Sequence, residues 1–260
     1  MVSRAFLIAL PLVLVAVYLG LNLVVRWIYP RQLFPYRGSS YVDSPDLRKT
    51  TAPDGNRIVL AYGPVDGDDA PLVLYFHGNG EDIGMNEERF AWFNSLGYGV
   101  LAPDYPGYGL STGTPSGPSV RACAEAALAY ARDELGYPAD RIVLWGRSLG
   151  GGPALHLAGR AGFRAVVLES AFRSVFRLGV PFPLLLPEPF PNEKRIAAVA
   201  EPVFLFHGAR DRVVPVSHAR ALARAAGDNA SLTVFPDGTH NDLRFVGQAA
   251  MESLLADLRK

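Results

Sequence analysis

The 260-residue sequence holds one cysteine, Cys123, so no disulfide can form within the chain and nothing in it demands an oxidising compartment. On a helical stretch this lone thiol reads as a small buried hydrophobe. Lysine is nearly as scarce: Lys49, Lys194 and Lys260 are the only three. Charge of one sign is missing altogether, because 25 Lys and Arg face 25 Asp and Glu. A neutral chain without a basic run lacks the electrostatic footprint of a nucleic-acid binder. There is no HExxH, no paired CxxC and no internal repeat, so the sequence offers no metal site and calls for no cofactor.

What is present is apolar residue, 49% of the chain, enough for a substantial core. Part of it forms one uninterrupted segment. Ala5 to Val25 reads AFLIALPLVLVAVYLGLNLVV, without a charge, between Arg4 and Arg26. As a helix it would span roughly 31 Å, about the hydrocarbon thickness of a bilayer. Trp27 and Tyr29 follow at once, where amphipathic rings suit a headgroup boundary. A cleaved signal peptide would have a shorter apolar stretch and a small-x-small site, and Arg-Trp-Ile-Tyr-Pro stands there instead. A soluble core helix fits poorly because the segment is apolar all round. Residues 1–26 are therefore expected to be a single-pass membrane anchor in contact with lipid. Arg26, Arg31 and Arg37 on one side, against Arg4 on the other, give a slight lean toward a cytoplasmic remainder.

Residues 27–45, rich in Pro, Arg, Tyr and Ser, read as a linker, and 46–260 as one folded domain. Within that domain, Leu47 to Thr51 and Arg57 to Tyr62 flank the turn signal Pro53-Asp54-Gly55. Strands are then expected over 72–76, 98–102, 142–145, 165–168, 203–206 and 232–235. Helices are expected over 86–96, 120–135, 149–158, 216–226 and 246–258. Alternating strands and helices imply an α/β fold, a mostly parallel sheet covered on both faces. In such a sheet, functional groups gather at the carboxyl ends of the strands.

The pattern G-x-S-x-G occurs twice, around Ser148 (Gly146 to Gly150) and around Ser111 (Gly109 to Gly113). A nucleophile elbow needs a strand, a sharp turn and a helix, with small residues where the backbone comes close. Ser148 has an apolar run before it and a helix-forming stretch after it. Ser111 lies in PGYGLSTGTPSGP, which forbids a following helix. Ser148 is thus the expected nucleophile.

A serine hydroxyl needs a base, and the base needs an orienting carboxylate. Of five histidines, His240 lies in a loop just after the last expected strand, and it is the expected base. His77 and His207 read as loop-stabilising, His156 as facing away or buried, and His218 as exposed. Asp211, after the strand at 203–206, is the favoured acid, with Glu169 as its rival. Asp104 ends a strand but reads as a brace for its own loop. Backbone N–H donors for an oxyanion are expected from Leu149, next to the nucleophile, and from Asn79 in His77-Gly78-Asn79-Gly80, with Gly80 next in line.

The blocks FHGNGED, APDYPGYGLSTG, LWGRSLGGGPAL, VFLFHGARDRVVP and GTHND, in this order from about Tyr41 to Lys260, resemble the α/β-hydrolase superfamily. More narrowly they resemble its membrane-anchored single-domain branch, with serine aminopeptidase-like α/β-hydrolase-domain proteins. The resemblance implies the α/β-hydrolase fold, the chain order Ser…Asp…His, and a short cap at about 171–200 with an apolar pocket beneath. It also implies hydrolysis of an ester, thioester or amide in a small-molecule or acylated substrate, since some relatives remove acyl chains from proteins. The competing reading is a catalytically silent binding or signalling protein on the same fold. A third, a nucleotide-binding oxidoreductase suggested by Gly78, Gly80 and Gly84 after a strand, lacks the Tyr-x-x-x-Lys that a short-chain reductase would want.

Overall fold

The computed structural model describes residues 4–35, 38–67, 69–179, 184–185 and 187–260. It opens with helix α1, Arg4–Leu33. The hairpin β1 (Arg48–Thr51) and β2 (Arg57–Gly63) is followed by β3 (Leu72–Phe76), α2 (Glu87–Ser95), β4 (Gly99–Pro103) and α3 (Gly117–Ala129). Next come β5 (Ile142–Arg147), α4 (Gly151–Leu157), β6 (Ala165–Glu169), α5 (Asn192–Ile196) and β7 (Val203–Gly208). The chain closes with α6 (Ser217–Ala226), β8 (Ala230–Phe235), α7 (Leu243–Val246) and α8 (Gln248–Leu258).

Among the described residues the strands form an eight-stranded sheet in the order β1-β2-β4-β3-β5-β6-β7-β8. β1 and β2 pair antiparallel, as do β2 and β4, and every later pairing is parallel. The central strands read as continuous apolar runs because both faces are covered. Side chains of β3 and β5 alternate between two cores. Leu72, Leu74, Phe76, Ile142 and Leu144 meet α3 and α4 residues such as Val120, Cys123 and Leu155 on one face. Val73, Tyr75, Val143 and Trp145 meet Trp92 and Phe93 of α2 and Met251 and Leu255 of α8 on the other. Fully burying one such large side chain is worth about 1.5–3 kcal/mol, so these layers hold the strand ends in fixed positions.

The strand order fixes where a site can form. After β3 the chain moves to β4 on one side; after β4 it crosses back to β5 on the other. The carboxyl ends of β3 and β5 are therefore neighbours whose following loops diverge, a topological switch point.

Three elements differ from the sequence expectation. The segment 27–45 does not begin as a linker, because α1 continues to Leu33 despite Pro11 and Pro30 inside it. Leu33 and Phe34 are buried in the domain, and that packing carries the helix on. The helix expected over 120–135 starts earlier, where Ser116 and Ser119 form a capping box, and gives way to a π turn at Tyr130–Glu134. The helix expected from Leu149 begins with a tight 3-10 turn over Ser148–Gly150.

Candidate active site

β5 delivers Ser148 to the switch point. Its φ is +51°, in the left-handed region that a residue with a Cβ rarely occupies. Two glycines make the turn possible. A Cβ on Gly150 would land on the Phe76 carbonyl oxygen at the end of β3, and one on Gly146 would land on the Gly150 carbonyl oxygen. The turn is thus pressed against the loop that follows β3.

β7 delivers Asp211. Its Oδ1 accepts hydrogen bonds from the Val213 and Val214 N–H groups at 2.9 and 2.7 Å, which fixes the carboxylate within its own loop. The loop after β8 delivers His240. Its Nδ1 lies 2.8 Å from Asp211 Oδ2 and its Nε2 3.0 Å from Ser148 Oγ. With the ring proton on Nδ1 donated to Asp211, Nε2 carries the lone pair that faces the hydroxyl. The close fit of the β7 and β8 loops depends on Gly208, where a Cβ would collide with the Gly238 backbone. Burial alone would raise the Asp211 carboxyl, but the hydrogen bonds from His240 and from the Val214 N–H hold it below the ordinary carboxylate value. Three side chains from the ends of three strands meet in one hydrogen-bonded chain.

A family model described as the alpha/beta hydrolase fold matches residues 71–192. The Escherichia coli (strain K12) protein YfhR is 33% identical over 205 residues, 74% of this chain and 72% of its own. The chain belongs to the α/β-hydrolase superfamily. Homo sapiens alpha/beta hydrolase domain-containing protein 17B is 29% identical over 79% of this chain and 73% of its own. The solved structure of the Pyrococcus furiosus esterase Pf2001 superposes with a TM-score of 0.67 at 17% identity, covering 85% of this chain and 96% of that one. At that identity the likeness is one of fold.

In this α/β-hydrolase, residues 77–80 lie beside the Ser148 turn and are pinned from below. The Tyr105 hydroxyl donates to the His77 carbonyl at 2.7 Å and the Tyr108 hydroxyl to the Asn79 carbonyl at 3.0 Å. The Gly78 N–H is committed to Glu81 Oε1 at 2.6 Å, which takes it out of contention as an oxyanion donor and leaves the amides of Asn79 and Gly80. Asn79 is half-buried and Gly80 exposed, so Asn79 is the more sheltered of the two.

The other candidates lie outside the Ser148–His240–Asp211 hydrogen-bonded chain and have partners of their own. Ser111 is buried; its hydroxyl donates to the Asp104 carbonyl and accepts the Val59 N–H, both at 2.9 Å. Glu169, the rival acid, is held by Arg89 at 2.7 and 3.2 Å and by the Trp145 indole N–H at 3.3 Å. Burial would raise the Glu169 carboxyl, yet Arg89 and Arg147 bring it below its ordinary value. Asp104 accepts the Ile83 N–H at 2.9 Å and the Tyr41 hydroxyl at 2.5 Å, bracing its loop. His77 Nε2 sits 3.3 Å from Asp104 Oδ1, and His156 pairs with Glu125 at 2.7 Å. His207 donates from Nε2 to the Val214 carbonyl at 2.8 Å, steadying the turn that carries Asp211. His218 corrects an expectation: it is buried rather than exposed, because its Nδ1 accepts the Arg173 N–H at 3.2 Å. Burial and the Arg173 charge push it down to about 4.

Two features escaped the sequence. Arg147, the residue before the serine, bridges both flanks of the site. Its Nη1 donates to Glu81 Oε1 at 2.6 Å, beneath the 77–80 loop, and its Nη2 to Asn241 Oδ1 at 2.8 Å, next to His240. Only the x position of G-R-S-L-G hinted at it. The second is α1, whose last turns share a cavity with Asn79 of the 77–80 loop and with Val213. The signal was Asn22, an amide within an apolar run, which must find partners. Its Nδ2 donates to the Tyr18 carbonyl, and its Oδ1 accepts the Leu185 N–H of the cap, each at 2.8 Å. The cap expected at 171–200 is described apart from residues 180–183 and 186, which lie outside the described residues. Glu188 ties it together by accepting the Val175 N–H at 2.9 Å and the Ser174 hydroxyl at 2.5 Å.

Proposed function

We propose that the protein is a membrane-anchored serine hydrolase that cleaves an ester, thioester or amide through an acyl-Ser148 intermediate. The observation that carries this reading is the continuous hydrogen-bond chain Ser148 Oγ–His240–Asp211. Its connectivity matches what acyl transfer needs. His240 Nε2 takes the hydroxyl proton as Ser148 Oγ bonds to the substrate carbonyl carbon. The backbone N–H groups of Leu149 and Asn79 hold the oxygen on which negative charge develops. As the tetrahedral intermediate collapses, His240 returns the proton to the leaving alkoxide, thiolate or amine, and that bond breaks. Water then repeats the cycle: its proton goes to His240, its oxygen to the acyl carbon, and Ser148 leaves with the proton handed back. Asp211 fixes the Nδ1–H tautomer and stabilises the imidazolium while it exists.

The fold shared with Pf2001, which is named an esterase, favours an ester among these bonds. The anchor is assigned to α1 because Ala9–Leu33 is long and apolar enough to cross a membrane, with Leu12, Leu14, Leu23 and Trp27 exposed along it. Arg26 and Arg31 at its carboxyl end favour a cytoplasmic domain. Turnover of a small activated ester tests the reading. The wild type is expected to hydrolyse it and Ser148→Ala to lose that activity while keeping its far-UV spectrum. Folded wild type that turns over neither esters, thioesters nor amides would contradict it and leave a binding module on a hydrolase fold.

A further inference from the structure

A membrane tether needs only length and apolarity, yet α1 has a second face. Tyr18, Asn22, Val25, Tyr29 and Leu33 recur at helical spacing and are wholly or partly buried, while Leu23, Val24 and Trp27 between them are exposed. The buried stripe docks on the hydrolase domain: Asn22 bonds to the cap at Leu185, and the Tyr29 ring meets Phe176 edge-on at 5.3 Å. Between this stripe and the cap lies a cavity of about 420 Å³, within the range of small-molecule sites. Val25, Ile28 and Tyr29 form its α1 wall, and Val175 and Phe176 its cap wall. Its remaining lining includes Asn79, whose amide is the proposed oxyanion donor, and Val213, whose N–H holds Asp211.

We propose that Val25, Ile28 and Tyr29 of the N-terminal helix are specificity-determining residues: they form the wall against which the acyl chain of a membrane-borne substrate packs while its carbonyl sits at Asn79. The inference rests on the serine-hydrolase reading and adds to it that the anchor helix is part of the substrate site. Three observations select an acyl chain drawn from the bilayer as the occupant. Among the described residues the lining carries no charged side chain, its polar groups being the Asn79 and Gln32 amides and the Tyr29 hydroxyl. The cavity is lined by Asn79, whose amide is the proposed oxyanion donor, and by Val213, two residues from Asp211, and so borders the proposed reacting centre. One of its walls belongs to the same helix whose other face exposes Leu23, Val24 and Trp27, so a chain leaving the bilayer along α1 meets apolar side chains on its way.

The full chain in detergent micelles, assayed with p-nitrophenyl butyrate and p-nitrophenyl laurate, tests this. Ile28→Trp fills the cavity and is expected to lower the laurate-to-butyrate ratio of kcat/KM by about tenfold, the scale on which a pocket discriminates by a few methylenes. Tyr29→Ala opens the cavity and is expected to move the ratio the other way. Leu23→Trp, at an exposed position on the opposite face, is expected to leave both rates as they are. Fluorophosphonate labelling of each variant reports whether the Ser148 site is intact, so a folding defect is not mistaken for selectivity. Ratios within twofold of wild type in both cavity variants, with labelling preserved, would overturn the inference and leave the hydrolase reading standing. A wild type that neither labels nor cleaves the butyrate would instead bring down the parent reading, and this one with it.

Discussion

The two G-x-S-x-G segments are treated oppositely by the same molecule. Ser148 follows a buried parallel strand, is forced to a φ of +51°, and aims its hydroxyl at His240. Ser111 follows no strand and is flanked by Gly109 and Gly113, both with positive φ, which carry the curvature themselves. Its hydroxyl is used up between the Asp104 carbonyl and the Val59 N–H. The glycines explain the contrast. Around Ser148 they admit neighbouring backbone, Phe76 and Gly150, so the bend falls on the serine; around Ser111 they admit the side chains of Asp104 and Asn56. A serine becomes available for chemistry when its backbone is bent toward a switch point and its hydroxyl is left for a partner from another strand.

Truncating each serine in turn separates the two segments most clearly. Ser148→Ala should lower kcat by on the order of 10⁶-fold, as removal of a serine nucleophile does. Ser111→Ala should leave kcat within a fewfold of wild type and cost about 1–3 kcal/mol of stability in urea denaturation, because a buried donor and acceptor lose their partner. The reverse pattern would mean that the two segments have exchanged roles.

The carboxylates offer the same test one step out. Asp211→Asn should cost about 10⁴-fold in kcat, since the amide no longer holds the Nδ1–H tautomer. Glu169→Gln should cost far less activity but several kcal/mol of stability, roughly 3–5, by leaving Arg89 buried without its charge partner. The pH dependence sharpens it. The folded-state value of Glu169 is depressed below its ordinary 4.5, so its contribution to stability is fully present above that pH. It is lost as pH falls through the lower, folded value. Urea midpoints measured from neutral pH down through that range should fall more steeply for wild type than for Glu169→Gln.

Arg147 should give a smaller effect than Ser148→Ala or Asp211→Asn. Arg147→Ala removes the link between Glu81 and Asn241 without touching the Ser148–His240–Asp211 chain. It should lower kcat about tenfold while Ser148 still reacts with a fluorophosphonate. Loss of all labelling would mean that this arginine does more than hold the two loops in place.

How much of this was legible beforehand follows from range of action. Strands such as Leu72–Phe76 announce themselves because burial on both faces demands continuous apolar residues. That Ser148 and His240 would meet was legible because a strand end and the spacing of glycines are local properties. Chain order favoured Asp211 over Glu169, and space adds a contrast the sequence could not show: Arg89 and Trp145 hold Glu169, while Asp211 meets His240. Arg147 was silent because its partners, Glu81 and Asn241, come from distant loops. The docked face of α1 was hidden for a different reason. A helix apolar all round shows no amphipathic contrast, so Asn22 alone betrayed that one side meets protein.

The proposed reaction depends above all on a covalent bond between Ser148 and the acyl group. Acid-quenching the full chain during turnover of a slow activated ester, followed by peptide mass spectrometry, tests it most directly. An acyl adduct is expected on the peptide carrying Ser148 and none on that carrying Ser111. An adduct on Ser111, or steady turnover with unmodified Ser148 under conditions where deacylation is rate-limiting, would contradict it.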